Sequence, residues 1–278
     1  MTTTLMRPDV PDTAASPPTA QRGTRAQRVG GRLSWLRRWV SPIVILVVWQ
    51  LLSTSGILTE NILASPLQIL STAVDLLADG TLQAATAVSV TRVLSGFAIG
   101  AAVGLVLATV AGLSRIGEDA VDPPMQMLRT LPHFGLIPLF IVWMGIGETP
   151  KIALIAMGVA FPLYLNTFAG IRSVDRKFLE VAETLNLTRR QRLRHVVIPG
   201  ALPQALVGLR LSLGVAWLSL IVAETVSADA GLGYLINDAR EFLKTDVIVV
   251  GLAVYSLLGL LTDTLVRFIE RKALAWRS

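Results

Sequence analysis

Residues 85–113 read ATAVSVTRVLSGFAIGAAVGLVLATVAGL, with Arg92 the one ionisable side chain in the run. A membrane-spanning barrel strand needs only about 9–11 residues, whereas a helix crossing the hydrocarbon core needs about 20 predominantly apolar ones. This stretch therefore reads as a membrane helix. Gly96, Gly100, Gly104, Ala108 and Gly112 recur every four residues, which at about 3.6 residues per turn lays small side chains along one face. Another helix can approach closely along such a stripe.

The rest of the chain agrees with that reading. Of its 278 residues 53% are hydrophobic and only 16% charged, and mean hydropathy is +0.61, well above a soluble domain of ordinary composition. Lipid must cover part of such a surface, and in lipid only helices or closed barrels satisfy their own backbone. The expectation is an all-α integral membrane protein with about six transmembrane helices. Cysteine is absent, which excludes disulfides, thiolate metal sites and cysteine catalysis. The two histidines, His133 and His195, lie far apart, and no metal site is expected.

Outward from the opening run, a first span is expected over residues 40–57. A cleaved signal peptide competes for it, but the basic tail before it is long and no convincing small-residue cleavage site follows. Residues 58–84 carry Glu60, Asp75 and Asp79 without a Lys or Arg, as an external loop would, and Pro66 opens an amphipathic stretch ending near Gly80. A third span is expected over 125–144, interrupted by Pro132 and Pro138. A fourth covers 152–170 with Pro162 inside, a fifth 205–223, and a sixth 246–266 after an external segment over 224–245. Seven arginines in residues 1–40, seven Lys or Arg in 172–204 and four in 267–277 fall on one side of six crossings. That is the positive-inside arrangement, with both termini cytoplasmic. The domains then read as a disordered basic tail (1–39), a transmembrane domain (40–270) holding a polar loop (172–204), and a short basic tail (271–278).

The polar loop carries most of the functional information. It reads EVAETLNLTRRQ over 180–191 and continues to VVIP at 196–199. Asn186 suits a left-handed helix stop, and Thr188 with Gln191 predicts a capping box opening the next helix. Two short helices should meet at a tight turn, with Pro199 ending the second and turning the chain toward the fifth span. A DNA-reading helix-turn-helix is the competing interpretation, but such motifs need a domain around them, and this loop is tied to membrane at both ends. No nucleic-acid partner is expected.

The spacing of Glu180, Val181, Ala182, Asn186, Val196, Ile198 and Pro199 resembles the EAA loop of permeases in bacterial ABC importers, with Val181 in place of the first Ala and Asn186 in place of Gly. The resemblance runs from about Trp49 to Arg271. It is supported by LIPL at 136–139, WMGIGE at 143–148 and IVAET at 221–225, leading through GLGY at 231–234 to AREFL at 239–243. The chain is most similar to the nitrate, sulfonate and taurine group, and within it to aliphatic sulfonate permeases; nitrate, taurine or a pyrimidine precursor are alternative cargoes. The resemblance implies a type I ABC importer permease-like fold whose loop couples to two ATPase subunits. It further implies a second permease copy, an extracytoplasmic binding protein, and ATP and Mg2+ bound by the ATPases, with no cofactor on this chain. No Walker A sequence is present.

Charges inside spans cost about 2.5–3.5 kcal/mol or more and are functional candidates. Arg92, Arg129 and Glu224 are the candidate substrate-path residues, Arg92 because a cation in the outer part of the second span could draw in an anion. Arg210 and Asp263 are expected to pair between the fifth and sixth spans. A stand-alone secondary carrier would show two related halves, and none is evident. An intramembrane enzyme would need a zinc or nucleophile motif that the chain lacks.

Overall fold

The computed structural model describes residues 30–59 and 62–275. The chain divides between Val48 and Trp49 into two compact units. Helix α1 (Gly30–Thr54) crosses that boundary and contains Pro42; it begins inside the stretch read as a disordered tail, of which residues 1–29 lie outside the described residues. Its Val40, Ile43, Val44 and Ile45 are exposed. Helix α2 (Pro66–Ala78) opens with Pro66 in its first turn, where a missing N–H costs nothing, and Ser65 caps it by accepting the Gln68 amide at 3.2 Å.

Helix α3 (Thr81–Leu113) contains the opening stretch. Helix α4 (Arg115–Thr130), a 3-10 turn at His133–Leu136 and α5 (Ile137–Met144) follow, then α6 (Glu148–Arg172). The loop holds α7 (Arg176–Thr184) and α8 (Arg189–Arg192), and a π-helical turn at Leu193–Val197 leads into α9 (Ile198–Ser227). Helices α10 (Leu232–Glu241) and α11 (Thr245–Ala273) complete the described chain.

Among the described residues, four helical segments are long and apolar enough to cross a membrane, namely Thr81–Leu113, Glu148–Arg172, Arg189–Ser227 and Thr245–Ala273. A fifth is reached only if α4 and the His133–Met144 segment count as one span, and these are bent by 88°. The expected first span survives as a shorter apolar helix, Val40–Thr54, so the sixth crossing rests on sequence alone.

Helix α6 sits between α3 and α9, and the small-residue stripe explains why. A Cβ at Gly104 would stand 2.7 Å from the Ala160 carbonyl oxygen, and one at Gly96 would stand 2.6 Å from Ile155 Cβ. Only glycine lets the backbones come so close. Val93, Ile155, Val159, Ala216 and Leu220 fill the space between these helices, joined by Leu232, Val250 and Tyr255 from the last two. The outward faces stay apolar and exposed, as at Val106, Leu218 and Leu261, which suits contact with lipid.

The third span is interrupted at Pro132 as expected, where Leu131 and Pro132 are extended and separate α4 from the turn beyond, whereas Pro138 falls in the first turn of α5. Two expectations are corrected. Pro199 does not end a helix: α8, the π turn and α9 form one segment from Arg189 to Ser227. There the Ile198 amide reaches back to the Leu193 carbonyl, a five-residue step that widens the helix where the proline ring would otherwise crowd the carbonyl four residues earlier. Glu224 is not the start of an external segment but a buried residue of α9, 1% exposed.

Candidate functional site

Arg92 lies on the packed face of α3, one turn before Gly96, and is 3% exposed. Its Nε and Nη2 donate to the Glu148 carboxylate at 2.6 and 2.5 Å, a two-pronged pair. Its Nη1 donates to Glu224 Oε1 at 2.7 Å and to the Ala230 carbonyl at 2.6 Å. A guanidinium has five N–H donors, so these four bonds leave little for a passing anion.

Glu224 is equally well supplied. It accepts from Ser89 Oγ on α3, Tyr255 Oη on α11 and the Gly233 amide at the start of α10, each at 2.8 Å. Ser89 in turn accepts the Leu232 amide at 2.9 Å. Lys151, 1% exposed, lies 3.1 Å from Glu148 and 3.8 Å from the exposed Asp229. Burying a charge is tolerable only with such partners, and the cluster gathers two cations and two carboxylates from three long helices.

The turn after α9 is shaped to admit this arrangement. Gly231 has φ +109°, and a Cβ on it would lie 2.7 Å from Arg92 Nη1; one on Gly233 would lie 2.5 Å from Glu224 Cβ. The structure thus brings together two candidates named from sequence, Arg92 and Glu224. Sequence reasoning missed Glu148, Lys151, Ser89 and Tyr255. Two signals pointed to them: the i,i+3 pair Glu148 and Lys151 at the start of an apolar run, and the position of Arg92 in line with the glycine stripe. Arg129 stands apart, exposed in the last turn of α4 with no ion pair among the described residues.

The loop forms a second constellation. Asp175 caps α7 by accepting the Lys177 amide at 2.9 Å. Asn186 has φ 52°, the Leu187 amide donates to the Ala182 carbonyl at 3.0 Å and the Asn186 amide to the Glu183 carbonyl at 2.9 Å, which together make a Schellman stop. The reciprocal Thr188 and Gln191 capping box then opens α8, and Arg192 ties back to Glu183 at 2.5 Å. Ala182 is buried, whereas Phe178, Val181 and Leu185 present an exposed apolar face. Val181, Ala182, Val196 and Pro199 line one groove of about 500 Å³; Glu180 and Ile198 are exposed outside its lining.

Arg210 on α9 lies 2.8 Å from Asp263 on α11, and Asp263 also receives Arg267 at 2.8 Å. His133 lies 3.4 Å from Ser219 Oγ. Among the described residues no group of three His, Asp or Glu side chains could hold a metal ion.

Residues 100–274 match the family described as Binding-protein-dependent transport system inner membrane component. The putative aliphatic sulfonates transport permease protein SsuC of Escherichia coli K12 is 48% identical over 87% of this chain and 93% of its own length. Its namesake in Bacillus subtilis 168 is 42% identical over 94% of this chain and 95% of its own. A solved structure titled as an amino acid ABC transporter with histidines superposes with TM-score 0.61 at 19% identity, covering 73% of this chain and 98% of that one. That last likeness concerns the fold alone.

Proposed function

Because the chain belongs to the family of binding-protein-dependent transport system inner membrane components, and is a permease subunit of an ABC importer rather than an enzyme, we propose that the solute it passes is an aliphatic sulfonate. The observation that carries this reading is near-full-length identity of 48% and 42% to two relatives from different organisms that bear the same substrate class in their names.

In this reading the chain spans the membrane six times with both termini cytoplasmic, and two copies frame the path. An extracytoplasmic binding protein delivers the sulfonate, and two ATPase subunits bind ATP and Mg2+ against the cytoplasmic loop. The exposed Phe178, Val181 and Leu185 face of α7 is the docking surface, flanked by Glu180 and set in place by the Asn186 stop. Movement at that face passes through the capping box into the segment Arg189–Ser227, 39 residues or roughly 58 Å at about 1.5 Å per residue. Near the far end of that segment stands Glu224, joined to Arg92 on α3. A continuous helical segment between the loop and a buried ionic junction supports conversion of ATPase closure into relative movement of helices.

Uptake of labelled ethanesulfonate, and growth on it as sulfur source, tests the proposal in a strain lacking this permease. Rescue by wild type and failure of an equally expressed Glu180→Arg variant are the expected results. Undiminished uptake in the deletion strain, in a background with no other sulfonate route, would redirect the substrate reading to nitrate, taurine or a pyrimidine precursor.

A further inference from the structure

The opposite side of the loop carries a groove that none of the motif residues lines. It encloses about 750 Å³. One wall is apolar, built from Leu113 at the end of α3, Ile171 near the end of α6, and Leu179 and Val197 from the loop. Arg189, Arg190 and Arg192 line its other side, with Glu183 the single acid among the lining residues. Arg192 is already held by Glu183 at 2.5 Å, and nearby Arg172 by Glu118 at 2.9 Å. Arg189 and Arg190 make no ion pair among the described residues.

We propose that this groove seats one anionic phospholipid, its headgroup phosphate on Arg189 and Arg190 and an acyl chain along the Leu113, Ile171 and Leu179 wall. A soluble anion would use the arginines but leave the apolar wall wet. A neutral lipid would use the wall but leave two cations without a counter-charge. An anionic lipid satisfies both, and guanidinium groups match phosphate geometry well. The wall begins at Leu113, the last residue of a membrane-crossing helix and itself 48% exposed, so an acyl chain can enter from the bilayer. Helix α7 then has two duties on two faces: Phe178, Val181 and Leu185 toward the ATPase, Leu179 and Glu183 toward the lipid. The cytoplasmic leaflet as source of the lipid, and the ATPase as what meets the other face of α7, rest on the functional reading above.

The test is native mass spectrometry of the full-length permease, extracted from nanodiscs with equal phosphatidylglycerol and phosphatidylcholine. Wild type should retain phosphatidylglycerol in preference. The Arg189→Gln/Arg190→Gln pair should lower that retention at least about tenfold, since each basic residue near an anionic surface adds to its hold on the headgroup. Arg189→Lys/Arg190→Lys should keep most of it, and Arg240→Gln/Lys244→Gln, which removes equal charge elsewhere, should leave it unchanged. Equal retention of both lipids by wild type, or undiminished phosphatidylglycerol on the glutamine pair, overturns the proposal. So does a glutamine pair that keeps its lipid but no longer co-purifies with the ATPase subunits, which would give these arginines to the ATPase. The chain has no cysteine, so a Lys177→Cys variant reports the side of the loop independently: thiol labelling from outside would reverse the orientation without altering lipid retention.

Discussion

Arg92 and Glu224 lie 132 residues apart in sequence and 2.7 Å apart in space, with side chains 3% and 0% exposed. Neither residue would be tolerable there alone. Their meeting joins α3 to α9, and Glu148 at the opposite side of the guanidinium adds α6, so one ionic junction links three of the helices that build the core.

Removing either central partner should therefore be costly. Arg92→Gln leaves Glu224 as a buried carboxylate without its counter-charge, for which about 3–5 kcal/mol of destabilisation is expected. Glu148→Gln should cost clearly less, because the Glu148 side chain is 52% exposed. Thermal unfolding of the purified permease ranks the variants. A well-folded Arg92→Gln protein with weakened sulfonate uptake would instead place Arg92 in the path.

The glycine stripe predicts a contrast between substitutions of the same kind. Gly104→Ala drives a methyl against the Ala160 backbone and should cost about 1–3 kcal/mol, as overpacking does. Gly259→Ala, on α11 with nothing within 4 Å of the new methyl, should be neutral or stabilising by up to about 1 kcal/mol. Equal melting temperatures for the two variants would mean that α3 and α6 are not in contact there.

At the loop, Asn186→Gly should be tolerated, since glycine takes the left-handed conformation at no steric cost. Asn186→Val should lose about 1–2 kcal/mol locally and uncouple transport from ATP hydrolysis. Both rates, measured on the reconstituted transporter, decide this; a valine variant with wild-type coupling would deny the turn its role.

For Arg210 and Asp263 the expected stability effect is weak, because both side chains are partly exposed and Arg267 shares the carboxylate. A double-mutant cycle with Arg210→Ala and Asp263→Ala should still be non-additive. Strict additivity would show that the 2.8 Å contact contributes nothing.

The local features were legible. Of the six expected spans, four fall within long apolar helices among the described residues; these were readable because a helix in lipid must satisfy its own backbone within the segment, which depends only on neighbouring residues. The Asn186 stop and the Thr188 capping box were equally readable, since a cap is built from residues three or four positions apart. Pro199 was misread because a proline's effect depends on the hydrogen-bond step before it, and here a π turn absorbs the ring. The break at Leu131 and Pro132 was visible, but its 88° angle was not, being set by what packs on either side.

The sequence by itself determined that this is a helical membrane protein with a capped polar loop. Composition, periodicity and turn chemistry act over a few residues, and the chain displays them openly. Only the tertiary structure decided that Arg92 meets two carboxylates, and that Glu224 is buried and bonded to Ser89, Tyr255 and the Gly233 amide. Those partners come from separate helices, and no periodicity records which faces will meet. Their pairing follows from the close approach of α3, α6 and α9, after which the cost of an unpaired buried charge favours the contact of Arg92 with Glu224.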